Sequence, residues 1–275
     1  MPIVGYYVHD IDPVLLHIWG EFGIRYYGIA YALGFLIAIY LFIQYRKKGF
    51  IAITAEQQSS LLFALVLGVL IGGRLGYVLF YDFQDTISNP LSIFAVWKGG
   101  MASHGGFIGV IIAGWIITRK IGMPFFKLGD FLATMAAPGL MLGRIANFIN
   151  GELWGTPSNV SWAVIFPSSA PVGTPVELIQ PRHPSQLYEA ALEGLFLFIY
   201  TQWRIWRTDA LKSPGRISGE FLILYAIVRI IGEQFREYDS PPILGMSRGI
   251  FYSLFMIILG TIFIIKSGQQ PKSEL

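Results

Sequence analysis

Arg144 stands inside a nearly apolar run, "GLMLGRIANFINGELWG" (139–155), that closes on Asn147, Asn150 and Glu152. Arg144 and Asn147 are three residues apart, as are Asn147 and Asn150, so a helix lines them along one edge. A second apolar run carries Tyr225, Arg229 and Glu233 at i, i+4 and i+8. Glu233 there either orients Arg229 towards a ligand or ties two helices together as an ion pair. Arg forks match phosphate and carboxylate oxygens and keep their charge. Arg144 has no acid within a helical turn, and Arg74, in a third apolar run, has Asp82 as its nearest acid. An anionic ligand is the natural partner of such arginines, and beside a bilayer that means a phospholipid headgroup.

His104 is followed by Gly105 and Gly106, so a ligand or another backbone can approach it closely. It reads either as a hydrogen-bonding residue or as a base able to take a proton from a thiol. Ser103 is no nucleophile for it, because adjacent helical residues point about 100° apart. In "RHPSQLYE" (182–189), His183 and Glu189 flank a helix start with Ser185 in the capping position, and they serve equally well as members of the first site. The chain has no cysteine, so a thiol in the chemistry must come from the substrate. HExxH and a Gly-rich loop ahead of Lys-Ser/Thr are missing from the sequence, and no nucleophile elbow is expected.

The elements that must hold these residues are membrane helices. The 275 residues are 54% hydrophobic and 13% charged, too little charge to cover a soluble surface. A crossing needs about 20 apolar residues. Seven stretches qualify: 24–45, 59–81, 101–118, 128–149, 185–203, 217–235 and 249–265. The fifth carries two carboxylates. No Lys or Arg precedes Arg25, so a cleaved signal peptide is not expected. Twelve Lys and Arg residues fall on one side of the seven stretches and five (Arg25, Lys98, Arg182, Arg236, Arg248) on the other, which puts the N-terminus outside and the C-terminus inside. Residues 150–184, rich in Pro and Ser, then form an external loop or small head of a single polytopic domain spanning 1–275.

Depth follows from helix rise. Arg144 lies 17 residues past Lys127, roughly 25 Å along a helix, and Arg74 and Arg229 lie roughly 20 Å into theirs. With His104 they fall in the outer half of the bilayer, as one site opening to the outer leaflet. Gly68, Gly72 and Gly76, Gly105 and Gly109, and Gly139 and Gly143 repeat every four residues, a spacing that lets helix backbones pack closely. "GGRLGYVLF" (72–80) and "LGRIANFIN" (142–150) echo each other, too briefly to decide on a duplication.

"GRIANFINGELWG" (143–155) resembles the signature of the prolipoprotein diacylglyceryl transferase family. So do "RYYGIAYALGF" (25–35), "GGRLGYVLFY" (72–81), "GGMASHGGFIGV" (99–110), "RHPSQLYEAALEG" (182–194) and "VRIIGEQFRE" (228–237). The chain departs from the family pattern at "MSRGI" (246–250), where the family commonly reads Met-Ser-x-Gly-Gln, and at Thr156. The resemblance implies an all-α, seven-span protein of the bacterial inner membrane with its site towards the periplasmic leaflet. It implies transfer of diacylglycerol from phosphatidylglycerol to the lipobox cysteine of a prolipoprotein, with glycerol phosphate released. No metal or soluble cofactor and no nucleic-acid partner is implied. Carried onto this chain, Arg144 and Arg229 hold the phosphate and His104 is the base. Tyr27, Asn147, Glu152, Gly155, His183, Glu189, Tyr225 and Glu233 line or support the site.

The residues without the resemblance also fit a transporter or flippase for anionic lipids or metabolites. Against that stand the lack of a convincing inverted repeat and the gathering of polar groups towards one face.

Overall fold

The computed structural model describes residues 5–19, 22–94, 100–238 and 240–269. Lys98 and Lys272 of the charge count, and Gly99 of the histidine-bearing motif, lie outside the described residues. Short strands come first: β1 (Tyr7–Val8), β2 (Val14–Trp19) and β3 (Phe22–Arg25), the last two an antiparallel pair. Helices α1 (Tyr26–Lys47), α2 (Ala55–Tyr81), α3 (Phe83–Ser88), α4 (Ser103–Ile121) and α5 (Phe125–Ile149) follow. After strand β4 (Val164–Ile165), α6 (Ser185–Glu189) runs through a π-helical stretch, Ala190–Phe196, into α7 (Leu197–Arg207). Helices α8 (Arg216–Glu233) and α9 (Arg248–Gln269) are the last of the described elements.

Each of the seven apolar stretches is thus helical over most of its length. Among the described residues, four helices, α1, α2, α5 and α9, are long and apolar enough to cross a membrane. The apolar surface they leave bare is telling. The most apolar window of α9 has mean hydropathy 2.1 and is only 11% buried, and that of α1 has 1.9 and 17%. Water would not tolerate so much exposed Leu, Ile and Phe without aggregation, whereas lipid does. This is a membrane protein.

Two compact units emerge, one comprising the chain up to Gln44 together with Asp130 onwards, the other Tyr45–Gly129. In the second, α2 begins with a reciprocal cap: Gln57 N donates to Thr54 Oγ1 at 3.1 Å, and Thr54 N to Gln57 Oε1 at 2.9 Å. Helices α2 and α4 then pack along the predicted glycine seam. A Cβ added at Gly72 would lie 2.3 Å from the Gly105 carbonyl oxygen, so only glycine fits. Gly139 and Gly143 behave otherwise: a Cβ on either meets nothing within 4 Å. The Gly139 backbone is nonetheless approached by α1, where a Cβ on Gly34 would lie 3.3 Å from the Gly139 Cα, so the spacing overstated the packing at Gly143 alone.

The first unit is built on α5, α7, α8 and α9. Ala137, Leu197 and Val228 form a buried knot, with Leu192, Phe221 and Leu224 packed against it. Asp130, fully buried on α5, accepts from the backbone N–H groups of Gly215 (2.8 Å) and Ser218 (2.7 Å) and from the Ser218 hydroxyl (2.9 Å). A carboxyl from one helix thereby satisfies the open N-terminus of another, α8. Gly219 and Gly260 bring α8 and α9 into backbone contact. In the 150–184 segment, β4 pairs in parallel with β1, and Ile165, Phe166 and His9 are buried together beside Phe148.

Candidate active site

Arg144 comes from α5 and Arg229 from α8, and both reach for the same buried carboxylates. Glu189 ends α6, and Glu193 sits in the π-helical stretch one turn on. Arg144 Nε lies 2.9 Å from Glu189 and its Nη2 donates to Glu193 Oε2 at 3.1 Å. Arg229 Nη1 is 3.0 Å from both Glu189 and Glu193, and its Nη2 is 2.7 Å from Glu233. Tyr225 donates its hydroxyl to Glu193 at 3.3 Å, and Arg236 Nη1 donates to Glu189 at 3.3 Å.

Glu193 is 0% and Glu189 1% exposed, so these carboxylates have traded all hydration for guanidinium contacts. The geometry corrects the expectation that Arg144 lacks an acid. Its partners arrive from another helix, Glu193 being 49 residues away. Arg236, read as a cation of an outer loop, is 7% exposed and belongs to the same network. The sequence signal for Glu193 was present in the two carboxylates of the fifth apolar stretch, four residues apart and thus on one helical face.

The network forms one wall of a cavity of about 360 Å³ that Arg144, Tyr225, Arg229, Glu233, Arg236 and Arg248 help to line. The closest approaches to carboxylates use Arg144 Nε and Nη2 and both Nη atoms of Arg229. Arg144 Nη1 and Arg229 Nε are left as donors for a ligand. Two cationic forks, held apart and aimed by carboxylates behind them, suit a phosphate that spans both.

Asn147 and Glu152 form a second group at the end of α5. Gly151, at φ +62°, and Leu153, at φ +57°, reverse the chain. The Glu152 carboxylate then accepts from Asn147 Nδ2 at 2.7 Å and Asn150 Nδ2 at 3.3 Å, while its carbonyl accepts from Gln186 at 2.7 Å. A leucine held in the left-handed region costs about 1–2 kcal/mol, strain of the kind that gathers at functional sites. Ser185 does not cap α6. It donates to the Leu153 carbonyl at 3.1 Å and so ties the helix start to this turn.

Gly155 is wedged between two segments of the chain: a Cβ there would lie 2.4 Å from the Phe235 carbonyl oxygen and 2.6 Å from that of His183. His183 Nδ1 is 3.1 Å from the Tyr188 hydroxyl, its ring packs edge-on against Phe235, and burial pushes its pKa below the ordinary histidine value. Tyr27 lies in the first turn of α1 with its ring against Tyr31.

His104 and Arg74 belong to the other unit. His104 is exposed in the first turn of α4. Arg74 is 8% exposed and donates to three backbone carbonyls, those of Ser92, Ile93 and Gly100, at 2.6 to 3.0 Å. Its charge therefore secures the segment after α3, which corrects the expectation of an anionic ligand there. Among the described residues, no group of three or more His, Asp or Glu side chains is placed to hold a metal.

A family model described as prolipoprotein diacylglyceryl transferase matches residues 13–266. A phosphatidylglycerol–prolipoprotein diacylglyceryl transferase of Idiomarina loihiensis is 46% identical over 263 residues, which cover 94% of this chain and 94% of the relative. Proteins of the same name from Ruegeria pomeroyi and Vibrio cholerae are 42% and 44% identical, each over 95% of this chain and over 97% and 93% of their own lengths.

Proposed function

The chain belongs to the prolipoprotein diacylglyceryl transferase family, and we propose that it transfers the diacylglyceryl group of phosphatidylglycerol to the lipobox cysteine of a prolipoprotein. The cysteine thiol gives up its proton, its sulfur attacks the glycerol carbon that bears the phosphate, and that carbon–oxygen bond breaks. A thioether forms and glycerol phosphate leaves. The phosphorus group passes from one negative charge towards two, so donors fixed around it favour the transition state over the bound lipid.

The observation that carries this reading is the pair Arg144 and Arg229 on one cavity wall, both anchored to buried Glu193. Donors already oriented in a dry site need no reorganisation as charge grows, and one such donor contributes about 2.7–4 kcal/mol elsewhere. Tyr225, Glu189 and Glu233 hold the two forks. Asn147, Glu152, Gly155 and His183 shape the turn beyond α5, Tyr27 lines the substrate's approach, and His104 is the base for the thiol. All seven apolar stretches cross the bacterial inner membrane in a single polytopic domain, N-terminus out and C-terminus in. The 150–184 head and the site face the periplasmic leaflet. The charge bias of the loops supports this orientation.

The test is an assay on purified protein with phosphatidylglycerol and a lipobox peptide, following peptide mass and glycerol phosphate. A diacylglyceryl mass gain on cysteine, lost in Arg144→Ala, is the expected result. Lipid binding without transfer by folded protein would overturn the reading. A His104→Gln enzyme should lose about 10²–10⁴-fold in turnover. Activity retained from pH 6 to 9 would remove His104 as the base.

A further inference from the structure

The arginine network beside the cavity is internally neutral. Arg144, Arg229 and Arg236 face Glu189, Glu193 and Glu233, each cation within 3.3 Å of at least one carboxylate. Such a cluster is well suited to grip a phosphate at short range. Its field beyond contact distance is weak, because each positive charge has a negative one beside it.

Arg248 differs. It is the first residue of α9 and lines the same cavity, yet its only hydrogen bond among the described residues is from Nε to the Pro241 carbonyl at 3.4 Å. No described carboxylate pairs with it, and its side chain is exposed. The positive end of the α9 dipole points the same way. Counted over the described residues, the cavity and its network therefore carry one positive charge more than their carboxylates cancel, matching the single negative charge of a lipid phosphodiester.

We propose that Arg248 is the capture residue of this cavity. It supplies the unneutralised charge that draws the phosphodiester of an anionic lipid to the rim and holds it until Arg144 and Arg229 take the phosphate. This rests on the reading of the cavity as the phosphatidylglycerol site. It divides the work between a neutral, buried grip and an exposed, charged rim, and a rim charge acts on encounter and salt dependence more than on chemistry.

The test compares wild type, Arg248→Gln and Arg248→Lys. In the transfer assay, Arg248→Gln should raise the KM for phosphatidylglycerol about tenfold, with the loss in KM and not in kcat, and Arg248→Lys should recover most of it. The wild-type KM should climb as ionic strength goes from about 0.05 to 0.5 M, and the Gln variant should lose that dependence. A misfolded or merely loosened protein would not lose salt dependence while keeping kcat. Unchanged KM and salt response in Arg248→Gln would overturn the proposal while leaving the transferase reading intact. Lipid capture is also measured without turnover, on phosphatidylcholine nanodiscs with and without phosphatidylglycerol. There, weaker capture by the Gln variant supports the proposal even if no transfer is seen, and equal capture overturns it. Displacement by inorganic phosphate as readily as by the anionic lipid would overturn the assignment to a lipid.

Discussion

Gly249, in the first turn of α9, sets two physical arguments against each other. Its φ lies outside the left-handed region, so alanine fits the backbone, and replacing glycine within a helix by alanine gains about 1 kcal/mol. The site argues the opposite. A Cβ at Gly249 would lie 2.5 Å from Glu233 Oε2, 2.7 Å from its Cδ and 3.0 Å from Arg229 Nε. Ordinary contact begins near 3.4 Å, so the pair must give way by up to about 0.9 Å. Glu233 holds Arg229 at 2.7 Å, and in the proposed reading Arg229 Nε is one of the two donors offered to the phosphate. Misplacing such a group by about 1 Å costs on the order of 10²-fold. Gly249→Ala should therefore keep or raise thermal stability in detergent while kcat/KM falls about 10- to 100-fold. Gly139→Ala, where a Cβ meets nothing within 4 Å, serves as the control and should leave kcat/KM near wild type. Wild-type kcat/KM in Gly249→Ala would refute the placement of Arg229 as a phosphate donor through Nε.

Three further outcomes follow from the same geometry. Glu193→Gln keeps the shape but turns an N–H pair towards one arginine fork, and should cost about 1.5–3 kcal/mol of stability together with a loss of activity; a variant as stable and active as wild type would remove Glu193 from the network. Asp130→Ala leaves the Gly215 and Ser218 donors at the start of α8 without their acceptor, and should lower unfolding stability by about 2–4 kcal/mol, read by thermal unfolding in detergent. Burial depresses His183, so the unfolded chain takes up its proton first as pH falls. Its contribution is therefore complete above the ordinary histidine value of about 6.5 and is lost as pH drops through the lower folded value, and His183→Gln should flatten the stability curve over that window.

Apolar run length made the helices legible, because burying or immersing about 20 apolar residues leaves the chain few alternatives. The stripe Tyr225, Arg229, Glu233 was legible for a similar reason: its geometry is local, and the Arg229–Glu233 pair forms as spaced. What escaped was tertiary. Nothing near Arg144 in the chain announces Glu193, and nothing near Gly215 announces that a carboxyl from α5 will serve its N–H. Ser185 had the right type for a cap, yet Pro184 precedes it and its hydroxyl turns to Leu153 instead. The glycine repeat held where two helices each offer one, at Gly72 and Gly105, and again where Gly34 of α1 meets Gly139, but gave no close packing at Gly143.

The Asp130 cap has a mechanical consequence. Helices α5 and α8 are fastened twice, by Asp130 at the start of α8 and by Glu193 where Arg144 and Arg229 meet. Along α5 those fastenings stand roughly 21 Å apart, and along α8, from Ser218, roughly 16 Å. Two rungs that far apart brace the rails against sliding and twisting, since slipping α8 by one turn would break both at once. The spacing of the two guanidiniums is thus maintained by a truss whose far joint contains no substrate-binding atom.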